Sequence, residues 1–209
     1  MCGCHPDWEQ IVLPGADLQK STRWLAPEEA SALFETLQHD VPWGVHRIRL
    51  FGREFDAPRL SCWMGDSNAL YTYSKTRFMP VPWLGVLDDL RRRLECACDT
   101  RFNSVLANLY RSGQDAMGWH SDDEPELGVQ PVIASLSLGA TRRFRLRPRQ
   151  REKGRRAVPP AGLDLMLSSG SLLRMAGDIQ HLYQHALPRT RQAVGARINL
   201  TFRWIHPRS

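Results

Sequence analysis

No stretch of this sequence approaches the ~20 consecutive apolar residues that a membrane-spanning helix needs. The first thirty residues hold no apolar core of the kind a secretory leader requires, so neither a span nor a leader is expected. Cysteine is sparse and odd in number: Cys2, Cys4, Cys62, Cys96 and Cys98, with no C-x-x-C pair. That excludes a disulfide framework and fits a reducing compartment. Cys2-Gly3-Cys4-His5 offers metal donors at one end of the chain, without a partner pair downstream. No internal repeat occurs, and nothing in the composition suggests a disordered or fibrous chain. The expectation is a soluble, monomeric, cytosolic protein, nuclear in a eukaryote, with no membrane partner.

What is present suffices for one domain with a real core: 209 residues, 42% of them hydrophobic. The formal net charge of +6 favours polyanionic partners without naming one. Pro27 opens a helix in which Ala30, Leu33, Phe34 and Leu37 fall at helical spacing. A second helix is expected after Pro82, with Leu84, Leu87, Leu90 and Leu94 on one side and Arg91, Arg92 and Arg93 mostly outward. Residues 1 to about 25 read as an irregular lead-in. Strand patterns cover 45–51, where Ile48 and Leu50 alternate with Arg47 and Arg49, then 70–74, 104–110, 132–138, 142–147, 163–167, 171–175 and 197–204. The polar stretch 148–162 is a long loop between strands, since the strand pattern resumes after it. Two helices beside many short strands predict a mainly β fold with flanking helices, a sandwich or jelly roll. The chain is expected to be a single domain over 1–209, with an N-terminal extension and helix over 1–44 leading into 45–205.

His120-Ser121-Asp122 follows the strand pattern of 104–110. Residues i and i+2 of an extended segment point the same way, so His120 and Asp122 can face one ion. His185 lies 63 residues beyond Asp122, ahead of another strand. Two histidines and a carboxylate form the ligand set of non-haem Fe(II) oxygenases. His181 competes with His185 for the distal position, and the two could equally form an i, i+4 pair on a helix.

The segment Arg197–Arg203 and Trp204 keeps a clean period of two. Ile198, Leu200, Phe202 and Trp204 share one face; Arg197, Asn199, Thr201 and Arg203 share the other. A polar face of this kind is often just solvated. Two arginines flanking an asparagine also suit a dicarboxylate, because guanidinium grips carboxylate in bidentate fashion and stays charged when buried.

In order along the chain, Asn108-Leu109-Tyr110, WHSDDE (119–124), IASLSLGATRRFRLR (133–147), GSLLRM (170–175), His185-Ala186-Leu187-Pro188 and RINLTFR (197–203) resemble the AlkB family, in particular the animal homologues and their bacterial relatives. The likeness runs from about residue 45 to 205. It implies a double-stranded β-helix (jelly-roll) core. It implies Fe(II) held by His120, Asp122 and His185, which decides against His181. It implies 2-oxoglutarate held by Asn108, Tyr110, Arg197, Asn199 and Arg203, with the far carboxylate on an arginine, Arg197 before Arg203. It implies oxidative dealkylation of bases such as 1-methyladenine and 3-methylcytosine in DNA, with 2-oxoglutarate and O2 converted to succinate and CO2 and the alkyl group leaving as an aldehyde.

The substrate end follows from the same likeness. Tyr71 and Tyr73 share one strand face and resemble the family's lid, with Tyr73 expected to stack a flipped base against His120 and Tyr71 to make a polar contact. Glu124 is expected at the polar edge of the base, and Asp123 in local structure, including pairing with an arginine. Phe51 is aligned with the apolar finger that fills the gap a flipped base leaves. The stretch 142–156 carries nine basic residues, Arg143 and Arg145 among them, against the single acid Glu152. It is expected to bind phosphates, which fixes position and salt sensitivity rather than sequence. Rival readings are the same chemistry on RNA, hydroxylation of amino acids, proteins or small molecules on the same fold, and a module that binds modified nucleic acid without turnover.

Overall fold

The computed structural model describes residues 6–50, 53–73, 76–149 and 162–206. In chain order the elements are β1 (Glu9–Ile11), β2 (Ala16–Ser21), α1 (Pro27–Asp40), β3 (Gly44–Leu50), β4 (Arg53–Gly65), β5 (Tyr71–Tyr73), β6 (Thr76–Phe78), α2 (Gly85–Cys98), β7 (Ser104–Tyr110), β8 (Met117–His120), a 3-10 turn (Pro125–Leu127), β9 (Ile133–Gly139), β10 (Arg142–Pro148), β11 (Leu163–Leu167), β12 (Leu172–Gly177), α3 (Ile179–Leu182), β13 (Tyr183–Leu187) and β14 (Arg197–Arg203).

The strands form an eight-stranded sheet in the order β1-β2-β12-β9-β14-β7-β4-β3, a four-stranded sheet in the order β11-β10-β13-β8, and the separate β5–β6 hairpin. Paired strands are antiparallel throughout both large sheets. This is the expected jelly roll. The lead-in, however, is not irregular. β2 pairs with β12 from Ala16↔Gly177 to Ser21↔Leu172 and buries Leu18 completely. Its one large apolar residue stands among Asp17, Gln19 and Lys20, too little alternation to reveal a strand on its own.

Both helices cover the outer face of the large sheet. Pro27 opens α1 at a position where its missing N–H is not needed. Leu33 and Leu37 of α1 and Leu87, Leu90 and Leu94 of α2 are buried in one cluster with Ala107, Leu109, Leu136, Leu138, Leu200 and Phe202. Each leucine or phenylalanine among them contributes about 1.5–3 kcal/mol on burial. α2 stops at Asp99, whose left-handed backbone (φ 48°) ends the helical run. Where β9 turns towards β10, Gly139 has φ +79°, and a Cβ there would meet the Ala196 carbonyl at 2.5 Å, so no other residue fits without a shift.

A second cluster lies between the sheets: Leu18, Ile133, Leu173 and Met175 from the large sheet meet Phe144, Leu146, Leu165, Leu167 and Tyr183 from the small-sheet side. The period-two pattern of β14 therefore has a definite meaning. Ile198, Leu200 and Phe202 face the helices, while Arg197, Thr201 and Arg203 are buried on the side facing the small sheet. The polar face is interior, not solvated. Trp204 does not continue the apolar face: it follows the last residue of β14 and is 40% exposed. No described helix is long and apolar enough to cross a membrane. Among the described cysteines, Cys62, Cys96 and Cys98 are free. Cys2, Cys4 and His5 lie outside the described residues.

Candidate active site

β8 and β13 are neighbours in the small sheet, and their register sets His120 directly opposite His185. Opposed side chains on one face lie ~5 Å apart at Cβ, and the two rings meet edge to face with centroids 4.2 Å apart. Asp122 follows two residues after His120, with its Oδ1 3.9 Å from His120 Nε2. Donor atoms of His120, Asp122 and His185 all lie within 4.8 Å of one another. His181 is on α3, exposed, and outside this group.

Neighbours fix each donor. His120 Nδ1 lies 2.8 Å from the Gly118 carbonyl; with the proton on Nδ1, Nε2 presents a lone pair to the centre. His185 packs against the Phe144 ring at 5.3 Å. The Asp122 backbone N–H donates to Gln180 Oε1 at 3.0 Å, and Arg203 Nη2 donates to Asp122 Oδ2 at 2.8 Å. Burial pushes the His185 imidazolium down to about 3, helped by the neighbouring His120, and burial also lowers His120. Burial acts to raise the Asp122 carboxyl, but Arg203 and the two histidines outweigh it and hold it at about 2. At neutral pH the set is two neutral imidazoles and one carboxylate, already in the protonation state a divalent metal requires.

Beyond the metal donors a second cavity is lined by Asn108, Tyr110, Arg197 and Asn199 together with His120, Asp122, His185 and Arg203. Arg197 stands opposite Tyr110 in the β14–β7 register and is 1% exposed. Its Nη2 donates to Ser137 Oγ at 2.9 Å, while Nε and Nη1 have no hydrogen-bond partner among the described residues. Its guanidinium lies 5.4 Å from the Tyr110 ring centre. Burial lowers it to about 10, so it is a cation at neutral pH. A sealed cation with two unsatisfied N–H groups is a cradle for a carboxylate. Asn199 is less open: its Nδ2 donates to Ser135 Oγ and the Leu136 carbonyl.

His120 and Asp122 also border a larger, mainly apolar cavity of ≈ 290 Å³, together with Val45, Arg59, Trp63, Met79 and Leu106. Tyr71 and Tyr73 lie on β5, opposite Phe78 and Thr76 of β6. Phe51 lies outside the described residues. Glu124 is half-buried just ahead of the 3-10 turn. Arg143 and Arg145 project from the outer side of β10 and share Asp164 of β11, at 3.7 and 2.7 Å. Arg147 stacks over Trp119 at 4.2 Å. Two members of the basic run are used elsewhere. Arg142 turns inward and donates to the carbonyls of Ser112, Asp115 and Pro188, and Arg149 pairs with Asp123. Arg151, Lys153, Arg155 and Arg156 lie outside the described residues.

Sequence reasoning missed Gln180, Ser135, Ser137 and Arg59, and it read Arg142 as a phosphate contact where the fold buries it on backbone carbonyls. The serines had a trace: Ser135 and Ser137 alternate with Ala134, Leu136 and Leu138 in β9, as polar and apolar residues do in β14. Gln180 had none, since it reaches Asp122 from 58 residues away.

A jelly roll that sets two histidines and a carboxylate beside a buried, unsatisfied arginine defines a class, the non-haem iron oxygenases that take an oxoacid. The sequence profile described as "2OG-Fe(II) oxygenase superfamily" matches residues 18–203. The chain is 42% identical over 186 residues to Alpha-ketoglutarate-dependent dioxygenase alkB homolog 3 of Homo sapiens, covering 86% of this chain and 63% of that one. The rat protein of that name is 42% identical over 186 residues, at 86% and 61% coverage. The chain thus spans about three fifths of the length of these relatives. DNA oxidative demethylase ALKBH2 of Homo sapiens is 34% identical over 203 residues, at 96% and 77% coverage. A solved structure, that of OsALKBH1, superposes with a TM-score of 0.61 at 18% identity, covering 93% of this chain and 99% of that one, and shows the same fold. The chain belongs to the AlkB family within the 2OG-Fe(II) oxygenase superfamily. The family works with Fe(II), 2-oxoglutarate and O2, and the donors present here fit the metal and the dicarboxylate.

Proposed function

We propose that this chain is an oxidative dealkylase that removes N-alkyl groups from bases in DNA, of the 1-methyladenine and 3-methylcytosine type. The observation that carries the reading is the buried Arg197, with two unsatisfied N–H groups, lining one cavity with His120, Asp122 and His185. Likeness to relatives named as a dioxygenase and as a DNA oxidative demethylase supports the substrate.

His120, Asp122 and His185 would hold the iron. Loaded with Fe(II), 2-oxoglutarate and O2, the site would supply the oxidation of an N-alkyl carbon that releases the alkyl group as an aldehyde while 2-oxoglutarate leaves as succinate and CO2. The chain's own residues bind and orient. Arg197 takes the far carboxylate of 2-oxoglutarate, beside Tyr110, while Asn108 donates near the oxoacid end. Arg203 keeps Asp122 ionised and fixes one of its oxygens, so the other faces the centre. The apolar cavity beside His120 accepts the flipped base and keeps water from it. Tyr71, Tyr73 and Glu124 would grip the base, and Arg143 and Arg145 would meet phosphates on the way in.

Oligonucleotides bearing 1-methyladenine or 3-methylcytosine, as single-stranded DNA, duplex DNA and RNA, test this directly with Fe(II), ascorbate and 2-oxoglutarate. Loss of one methyl mass from the DNA forms is expected. RNA as the preferred form would move the function to RNA, and no demethylation by iron-loaded protein would overturn the reading.

A further inference from the structure

Arg59 is a buried charge that the metal and oxoacid arrangement leaves unexplained. It lies on β4, is 6% exposed, and has no acidic partner among the described residues. Its Nε donates to Asn108 Oδ1 at 2.9 Å, and Asn108 is 2% exposed. The two meet across the β4–β7 pair, where Asn108 stands opposite Ser61.

An arginine side chain has donors and no acceptor, so the edge of the Asn108 amide facing it has to be the carbonyl. The amide is planar, and its NH2 then points to the other side. Asn108 borders both cavities, whereas Arg59 borders the larger one. The smaller cavity holds the metal donors and Arg197. Reversing the amide would set NH2 against a guanidinium and bring an oxygen towards an incoming carboxylate, two repulsions created by one rotation.

We propose that Arg59 is a positioning residue that locks the Asn108 amide with its NH2 directed at the oxoacid subsite. It links the two cavities: a side chain bordering the base cavity sets the strength with which the other grips its dicarboxylate. This rests on the oxoacid assignment above. In Arg59→Met both amide orientations become available, and the dicarboxylate loses a reliable donor.

The test is calorimetric titration of Mn(II)-loaded protein with 2-oxoglutarate, in the absence of turnover. Arg59→Met is expected to weaken 2-oxoglutarate about ten-fold, the scale of one hydrogen bond to a charged group, with Mn(II) affinity unchanged. In an Asn108→Ala background the same substitution should have no further effect, because Arg59 acts through that amide. Unchanged 2-oxoglutarate affinity in Arg59→Met, or effects that simply add in the double variant, would overturn the proposal. Should Arg59→Met fail to fold, Asn108→Asp decides. It keeps a partner for Arg59 but aims an oxygen at the oxoacid, so it must bind 2-oxoglutarate more weakly than Asn108→Ala; equal or tighter binding rejects the orientation. Failure of the wild-type protein to bind 2-oxoglutarate at all would instead remove the assignment on which this one stands.

Discussion

Arg203 reaches from the last residue of β14 to Asp122, just beyond β8, and closes a 2.8 Å bond between two side chains almost sealed from solvent. The pair ties the large sheet to the tip of the small one. One carboxylate oxygen belongs to the guanidinium, and the other is left to the histidines.

Arg203→Met should therefore make metal binding acid-sensitive. Burial raises the Asp122 carboxyl and Arg203 is the leading influence that brings it down to about 2. Without Arg203 the carboxyl rises, and a proton competes with the metal at a pH where it does not in the wild type. Mn(II) titrations across about pH 5–8 should show the variant losing affinity on acidification while the wild type holds. Coincident profiles would deny Arg203 this role.

The metal-free protein should lose stability in mild acid. His185 falls from its ordinary 6.5 to about 3, because burial disfavours the imidazolium and His120 adds repulsion. Below 6.5 the unfolded chain takes up a proton that the folded chain refuses. This contribution is full above the unfolded value and drains away as pH falls towards the folded one. Thermal midpoints at about pH 7.5 and pH 5 should differ more for wild type than for His185→Gln; equal differences would mean another group dominates.

His120→Ala removes a donor that β8 aims at the centre, and iron retention and turnover should both disappear. Metal analysis after desalting, with succinate formation alongside, checks this. Retained iron with full activity would reject the donor set.

Arg197→Ala should raise the 2-oxoglutarate requirement by about ten-fold to a hundred-fold, the range expected when a charge-assisted, bidentate contact is lost. Steady-state kinetics in 2-oxoglutarate report it. An unchanged requirement would shift the carboxylate to Arg203.

Leu94→Ala should destabilise the fold by about 2–5 kcal/mol, since its side chain is fully buried between α2 and the large sheet. Denaturant unfolding measures it, and a loss well under 1 kcal/mol would mean the helix seat is loosely packed.

Patterns carried by adjacent residues were legible in the sequence; contacts between distant ones were not. The alternation in Arg197–Arg203 announces a strand with two unlike faces, but not that the polar face is the interior one. That depends on α1 and α2 covering the other side. His120 and Asp122 were a local pair, whereas His185 was separated from His181 only by likeness to a family, since β13 and its register are not written in the spacing. β2 was overlooked because it is stabilised by pairing with β12, some 155 residues further on, and not by its own pattern. Gln180, Ser137 and Arg59 act at the ends of bonds that only folding creates.

Among the described residues, β8 is the outermost strand of the small sheet and has a neighbour on one side, β13. The two histidines face each other across that single seam. A metal ion held between them is a rivet as much as a reagent. Its departure would unfasten a wall of the reaction chamber, so amide exchange at Met117–His120 should quicken as soon as the ion leaves. On the proposed function, inactivation and loosening would then be one event, and a chain starved of metal would open to proteases at the strand that carries His120.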